Sequence, residues 1–216
     1  MRNQYQRQLD SVLDELVQMT GVVRAALAQA TQSLLDADAT SAEAVITGDL
    51  AIDEARERIE EDSFDILARQ APVAGDLRML VASLRMVADL ERMGDLSVHV
   101  AKVARLRYPI SAVPTVLIPT ITQMATTADE MIAAAADIVA TRDVEAARAL
   151  EAADDVMDTL RRSMFRTLLS SGWQEGVEPA VDMALIGRYY ERIGDHAVSM
   201  ARRIVFLVTG QHPAGV

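Results

Sequence analysis

One motif stands twice in this chain, and that repeat limits the fold more than any other feature. The first copy reads Glu91-Arg92-Met93-Gly94-Asp95, the second Glu191-Arg192-Ile193-Gly194-Asp195. The likeness extends upstream. Asp38, Asp49, Asp53 and Arg56 fall on Asp143, Asp154, Asp158 and Arg161 at a constant offset of 105, as Gln18-Met19 falls on Gln123-Met124. The offset drops to 100 at the motif, so the loop before it is five residues shorter in the second unit. Such a repeat means two units built to one plan, and what both keep is what the plan needs.

The units read as helices. Alanine is abundant, and Gly (10) and Pro (6) are few, which favours helix nearly everywhere. In the first segment Leu9, Val12, Leu13, Leu16, Val17, Val23, Leu27 and Leu34 follow a helical period. The spacing predicts helices over about 4–35, 41–70, 75–108, 116–140, 143–170 and 177–208. Thr40 with Glu43 makes a capping box for the second. Pro72 ends it, because the residue before a proline disfavours the α region. Gly210 stops the last, with a short loose tail beyond. The expected fold is all-α: two pseudo-symmetric antiparallel three-helix bundles, 1–108 and 116–216, joined by a proline-containing linker at 109–115. A single six-helix array is the alternative, and Pro109, Pro114 and Pro119 favour the divided form.

Composition narrows the function. Half the residues are apolar, enough for a substantial core. There is no cysteine, so disulfides and thiolate zinc sites are excluded and a reducing cytoplasm is expected. A net charge of −11 repels a phosphate backbone, so no nucleic-acid partner is expected. The N-terminus has no apolar core of a signal peptide, and no apolar run is long enough to span a bilayer.

The chemistry-bearing residues are carboxylates. Asp49 with Asp53, Glu91 with Asp95, Asp154 with Asp158 and Glu191 with Asp195 are each spaced i, i+4, on one face of a helix. Like charges at that spacing cost about 0.2 to 0.5 kcal/mol per pair. A plan that accepts the cost in both units suggests a hard cation held by oxygen: magnesium, manganese or iron. A solvated or locally salt-bridged face fits the same residues. Glu57, Glu61 and Asp65 extend the first stripe, but their counterparts are Arg162, Arg166 and Ser170, so they read as surface. Arg92 and Arg192 lie three residues before Asp95 and Asp195 and compete for them.

Gly94 and Gly194, each costing about 1 kcal/mol in a helix, read as points of close helix approach or of access for a ligand, the first being the simpler. His99 and His196 face Ser199 and Leu96 in the other copy, and Asp76 and Asp89 face Gly176 and Tyr189, so none of the four repeats. Met79, Met86, Met93, Met183 and Met200 read as core. Enzyme chemistry is not expected: there is no Cys nucleophile, no Gly-rich phosphate loop and no Glu-x-x-His pair of the di-iron bundles. A metal-dependent carboxylate-bundle enzyme and a purely structural helical protein are the remaining alternatives.

The repeated Glu-Arg-hydrophobic-Gly-Asp, the upstream Asp-x-x-x-Asp and Pro72-Val73-Ala74-Gly75-Asp76-Leu77-Arg78 together resemble the PhoU family of phosphate-signalling proteins, over essentially the whole chain. The resemblance implies two three-helix bundles with metal on their acidic surfaces. It places Asp49, Asp53, Glu91 and Asp95 in one site and Asp154, Asp158, Glu191 and Asp195 in the other. Where the family pattern continues with Asn one turn later, this chain has His99 and Ser199. The resemblance also implies a cytoplasmic negative regulator of the phosphate-starvation response. Its partners would be the ATPase subunit of a phosphate ABC transporter and a sensor histidine kinase, with the kinase held off when phosphate is plentiful. It further implies a homodimer, peripheral to the inner membrane through those partners. Service to a different phosphate transporter is the alternative.

Overall fold

A computed structural model of the chain describes residues 2–211, with side chains from Tyr5 onward. The tail expected past Gly210 lies, beyond Gln211, outside the described residues. Among those residues there are seven α-helices, one 3-10 turn and no strand. The helices are α1 (Arg2–Asp36), α2 (Ala39–Gly48), α3 (Leu50–Gln70), α4 (Ala74–Arg107), α5 (Ile118–Thr141), α6 (Val144–Leu168) and α7 (Val177–Thr209).

Six rods are therefore present, as the spacing predicts, with two corrections to the second. It is divided at Asp49 into α2 and α3. Gly48 is a poor helix former, and the Ile52 N–H donates to the Asp49 carbonyl at 2.9 Å, a tightened i→i+3 turn. The break is slight, because Asp49 keeps right-handed helical torsions (φ −57°, ψ −31°). Nor does Thr40 cap this rod. Asp38 does: its Oδ1 accepts from the Thr40 and Ser41 N–H groups at 2.9 and 3.1 Å. Asp143 repeats the device before α6, accepting from Glu145 and Ala146 at 2.9 and 3.0 Å. A short acidic side chain at the cap satisfies two orphan amides that a threonine two residues later has already passed. Glu43, freed from a capping box, accepts from Arg105 Nη1 at 2.6 Å.

Pro119 lies in the first turn of α5, where a missing N–H is harmless. The segment 109–115 is packed rather than loose, for Ala112 and Val113 are buried. The five methionines named above are all buried, matching their reading as core.

The two units share their core. α1, α4, α5 and α7 form a central layer, with α2–α3 laid on α1 and α4, and α6 on α5 and α7. α4 meets its own counterpart α7, and α1 meets its counterpart α5. The α4–α7 pair is antiparallel: Arg107, at the end of α4, donates from Nε to Asp182 Oδ2 near the start of α7 at 2.6 Å. Asp89, midway along α4, accepts from Arg203 Nε late in α7 at 3.0 Å. A pseudo-two-fold axis therefore runs between the units, and one hydrophobic cluster extends from Leu9 to Leu207 across it.

Two acidic grooves and the interface between the units

The repeated carboxylates line two grooves on the outer flanks of the central layer. In the first, Asp49 at the α2–α3 junction and Asp53 in the first turn of α3 lie against Glu91 and Asp95 of α4. Gly94 makes the approach possible. A Cβ there would stand 2.7 Å from Ile52 Cδ1 and 3.4 Å from Asp49 Oδ1. In the second, Asp154 and Asp158 of α6 lie against Glu191 and Asp195 of α7, where a Cβ on Gly194 would stand 3.2 Å from Met131 Sδ and 3.7 Å from Asp154 Oδ1.

Each set forms one electrostatic group. Burial first, then the charges of Asp95, Asp53 and Glu91, push the Asp49 carboxyl above its ordinary range, with Lys102 opposing. Burial, then Asp195, Asp158, Glu191 and Asp155, push Asp154 up. Burial and Glu191 do the same to Asp195, with Arg188 and His196 opposing and Asp158 reinforcing.

Arginines compete for these groups, differently in the two units. Arg92 Nη1 donates to Asp95 Oδ2 at 3.0 Å, the pairing its spacing predicts. In the second unit Glu191 is the clasped carboxylate: Arg188 Nη1 stands 2.5 Å and Arg161 Nε 3.2 Å from its Oε2. Arg162 sits 3.6 Å from Asp158. An all-oxygen donor set has the right chemistry for a hard cation. In the rotamers present, no three His, Cys, Asp or Glu side chains among the described residues are arranged to hold one.

A second polar site, which spacing alone does not reveal, lies beside the pseudo-axis. Asp89, which lacks an acidic counterpart, is 7% exposed and sits at the α4–α7 contact. It meets His196 Nδ1 at 3.0 Å and accepts from Ser199 Oγ at 3.3 Å and Arg203 Nε at 3.0 Å. Across the axis the equivalent contact is aromatic: His99 stacks on Tyr189, centroids 5.3 Å apart. His99 and Ser199, counterparts in the repeat, thus each engage the other unit. On α1 and α5, Arg24 donates from Nε and Nη2 to both oxygens of Asp129 at 2.7 and 2.8 Å. Arg24 and Asp129 are themselves counterparts at the offset of 105. A residue on a two-fold axis meets its own copy, where identical charges repel. Duplication within one chain lets the two copies take opposite signs. The signal was in the sequence as a charge reversal at a repeated position.

A family model described as PhoU domain matches residues 16–104 and again 121–204, one match per unit. The chain belongs to the PhoU family. A Mycobacterium tuberculosis protein named Phosphate-specific transport system accessory protein PhoU homolog 2 is 44% identical over 99% of this chain and all of its own length. A Rhizobium meliloti protein named as a PhoU homolog of the same system is 30% identical over 98% of this chain and 90% of its own. PhoU from Pseudomonas aeruginosa superposes with a TM-score of 0.86 at 28% identity, over 96% of this chain and all of that one. A phosphate transport system regulatory protein PhoU from Streptococcus pneumoniae, at 21% identity, shares the fold with a TM-score of 0.87.

Proposed function

We propose that this chain is a phosphate-transport accessory protein that regulates by binding and has no chemistry of its own. It acts in the cytoplasm, linking the ATPase subunit of a phosphate ABC transporter to a sensor histidine kinase. It keeps the phosphate-starvation response off when phosphate is plentiful. The observation that carries this reading is the match, end to end, to relatives named as accessory proteins of a phosphate-specific transport system. An adaptor of this kind shifts a kinase between two states through unequal contacts with them. No helix among the described residues is long and apolar enough to cross a membrane, so membrane contact is proposed as peripheral, through the partners. A homodimer is proposed as the working form.

The acidic grooves are proposed to take a hard cation, magnesium, manganese or iron. Asp49, Asp53, Glu91 and Asp95 would hold it in one unit, and Asp154, Asp158, Glu191 and Asp195 in the other. A bound cation would offset the burial, and after it the mutual repulsion, that raise Asp49, Asp154 and Asp195. Because Arg161 and Arg188 already neutralise Glu191, the first groove is the stronger site. Equilibrium dialysis against manganese should show Asp49→Asn/Asp95→Asn losing more bound metal than Asp154→Asn/Asp195→Asn; equal loss, or no binding by wild type, contradicts this.

The adaptor reading is tested with a phosphate-starvation reporter in phosphate-rich medium. Cells lacking this chain and any paralogue should switch the reporter on, and wild type should silence it. A reporter that stays off overturns the reading and points to another phosphate transporter.

A further inference from the structure

Both units expose apolar side chains at the same three positions, with opposite charges beside them, but the groove itself is built in the second unit. Where α6 hands over to α7, Leu169, Val177 and Val181 are 82%, 80% and 51% exposed. They flank a groove floored by Ala180 and Ala184 and walled by Phe165 and Trp173. The Arg161 guanidinium lies 5.3 Å over the Phe165 ring, and Arg162 and Arg166 continue that edge. The repeat puts Phe64, Leu77 and Val81 at the corresponding positions of the first unit, and they too are exposed. There, Glu57 and Glu61 replace Arg162 and Arg166. Arg161 is shared with Glu191 and Arg162 lies 3.6 Å from Asp158, and with Arg166 they give this edge a basic rim in a chain of net charge −11.

We propose that the α6–α7 groove is the docking site for an acidic amphipathic helix of a partner protein. Exposed apolar side chains clustered around a groove mark an interaction surface rather than a solvated face. Two alanines on the floor let a helix lie close, its apolar stripe against Leu169, Val177 and Val181. The rim selects the sign of the partner: acidic flanks meet Arg162 and Arg166, and basic flanks are repelled. A lipid surface suits a projecting tip better than a floored groove. A second copy of this chain, offering its patch edged by Glu57 and Glu61, would associate head to tail, because antiparallel α4 and α7 begin at opposite ends of the molecule; such contacts tend to run open. The proposal stands on the groove and is independent of any role in phosphate signalling.

Trp173 is the chain's single tryptophan, so its emission reports on this groove alone. The test titrates the intact chain with a synthetic helical peptide of about 18 residues, long enough to form a stable helix. One face carries leucines and the flanks glutamates; a twin peptide carries lysines instead. The glutamate peptide should shift the emission saturably and bind at least about tenfold more tightly than the twin, a difference of about 1.4 kcal/mol. Arg162→Glu/Arg166→Glu should reverse that preference, and Leu169→Asp/Val181→Asp should abolish binding of both. All four side chains are exposed, and circular dichroism checks that each variant folds. Equal response to both peptides, or response to neither, overturns the proposal. So does a stronger response to phosphatidylglycerol vesicles. A concentration-dependent rise in mass without peptide that Arg162→Glu/Arg166→Glu removes overturns it in favour of self-association.

Discussion

In the first unit Glu91 lies 3.8 Å from Arg92, which gives its stronger contact, at 3.0 Å, to Asp95. In the second unit Glu191 is 8% exposed and held between Arg161 and Arg188. Arg188 stands where the first unit has Ala88, and Arg56, the counterpart of Arg161, turns instead to Glu57 and Glu60. The two grooves thus share a backbone plan and differ in how their charge is balanced. The glycine that brings two helices together is common to both. The salt bridges depend on neighbours outside the motif and have diverged.

The largest expected effect tests whether the units are one body. Tyr190 is fully buried and its hydroxyl lies 2.8 Å from Thr31 Oγ1 of the other unit; its counterpart Leu90 is buried too. Tyr190→Ala should cost about 3 to 5 kcal/mol and Leu90→Ala about 2 to 5. In urea each should shift a single transition, because the core is continuous. Two separate transitions, each moved by one variant, would break the comparison.

Next come the two halves of the α4–α7 contact. Asp89→Ala strips three polar partners of a buried carboxylate and should cost about 1.5 to 3 kcal/mol. Tyr189→Ala removes the stacked contact and should cost about 0.5 to 1.5 kcal/mol beyond the lost burial. Equal costs by chemical denaturation would mean that charge had not differentiated the two sides.

The motif glycines sharpen the comparison further. Gly94→Ala drives a methyl into Ile52, whose branched side chain yields poorly, and should destabilise by about 1 kcal/mol after the gain in helix propensity. Gly194→Ala meets the flexible end of Met131 and should be near neutral. The difference in melting temperature between the two variants checks this.

The smallest effect is electrostatic. Asp154 and Asp195 are raised in the folded state, so that state takes up protons before the unfolded chain does. Stability therefore rises as pH falls through their raised pKa values, and the cost of burying and crowding these charges is fully present above them. Asp154→Asn/Asp195→Asn should therefore be the more stable form at pH 7, by about 0.2 to 0.5 kcal/mol per like-charge pair removed. The advantage should shrink as pH falls toward about 4. An advantage that grows on acidification would contradict the sign.

Much of this was legible from spacing. The helical rods, the burial of the methionines and the close approach at Gly94 and Gly194 all follow from local pattern. The N-cap of the second rod is less legible, because Thr40 with Glu43 fits a pattern that Asp38, two residues earlier, pre-empts. The pairing of Asp89 with His196, Ser199 and Arg203, and that of Arg24 with Asp129, is not legible from spacing. These partners lie more than a hundred residues apart, and no local period reports such distances.

The sequence by itself determined that there are two like units, that each is three helical rods, and which carboxylates share a helix face. Period, propensity and repetition act within a few turns of chain and suffice for that. Only the tertiary structure decided that each central helix packs on its own counterpart across a pseudo-two-fold axis. It also decided that positions at which the two copies differ, such as Arg24 and Asp129, meet across that axis. Identical charges cannot face each other across such an axis, so the packing, not the motif, set where the two copies had to differ.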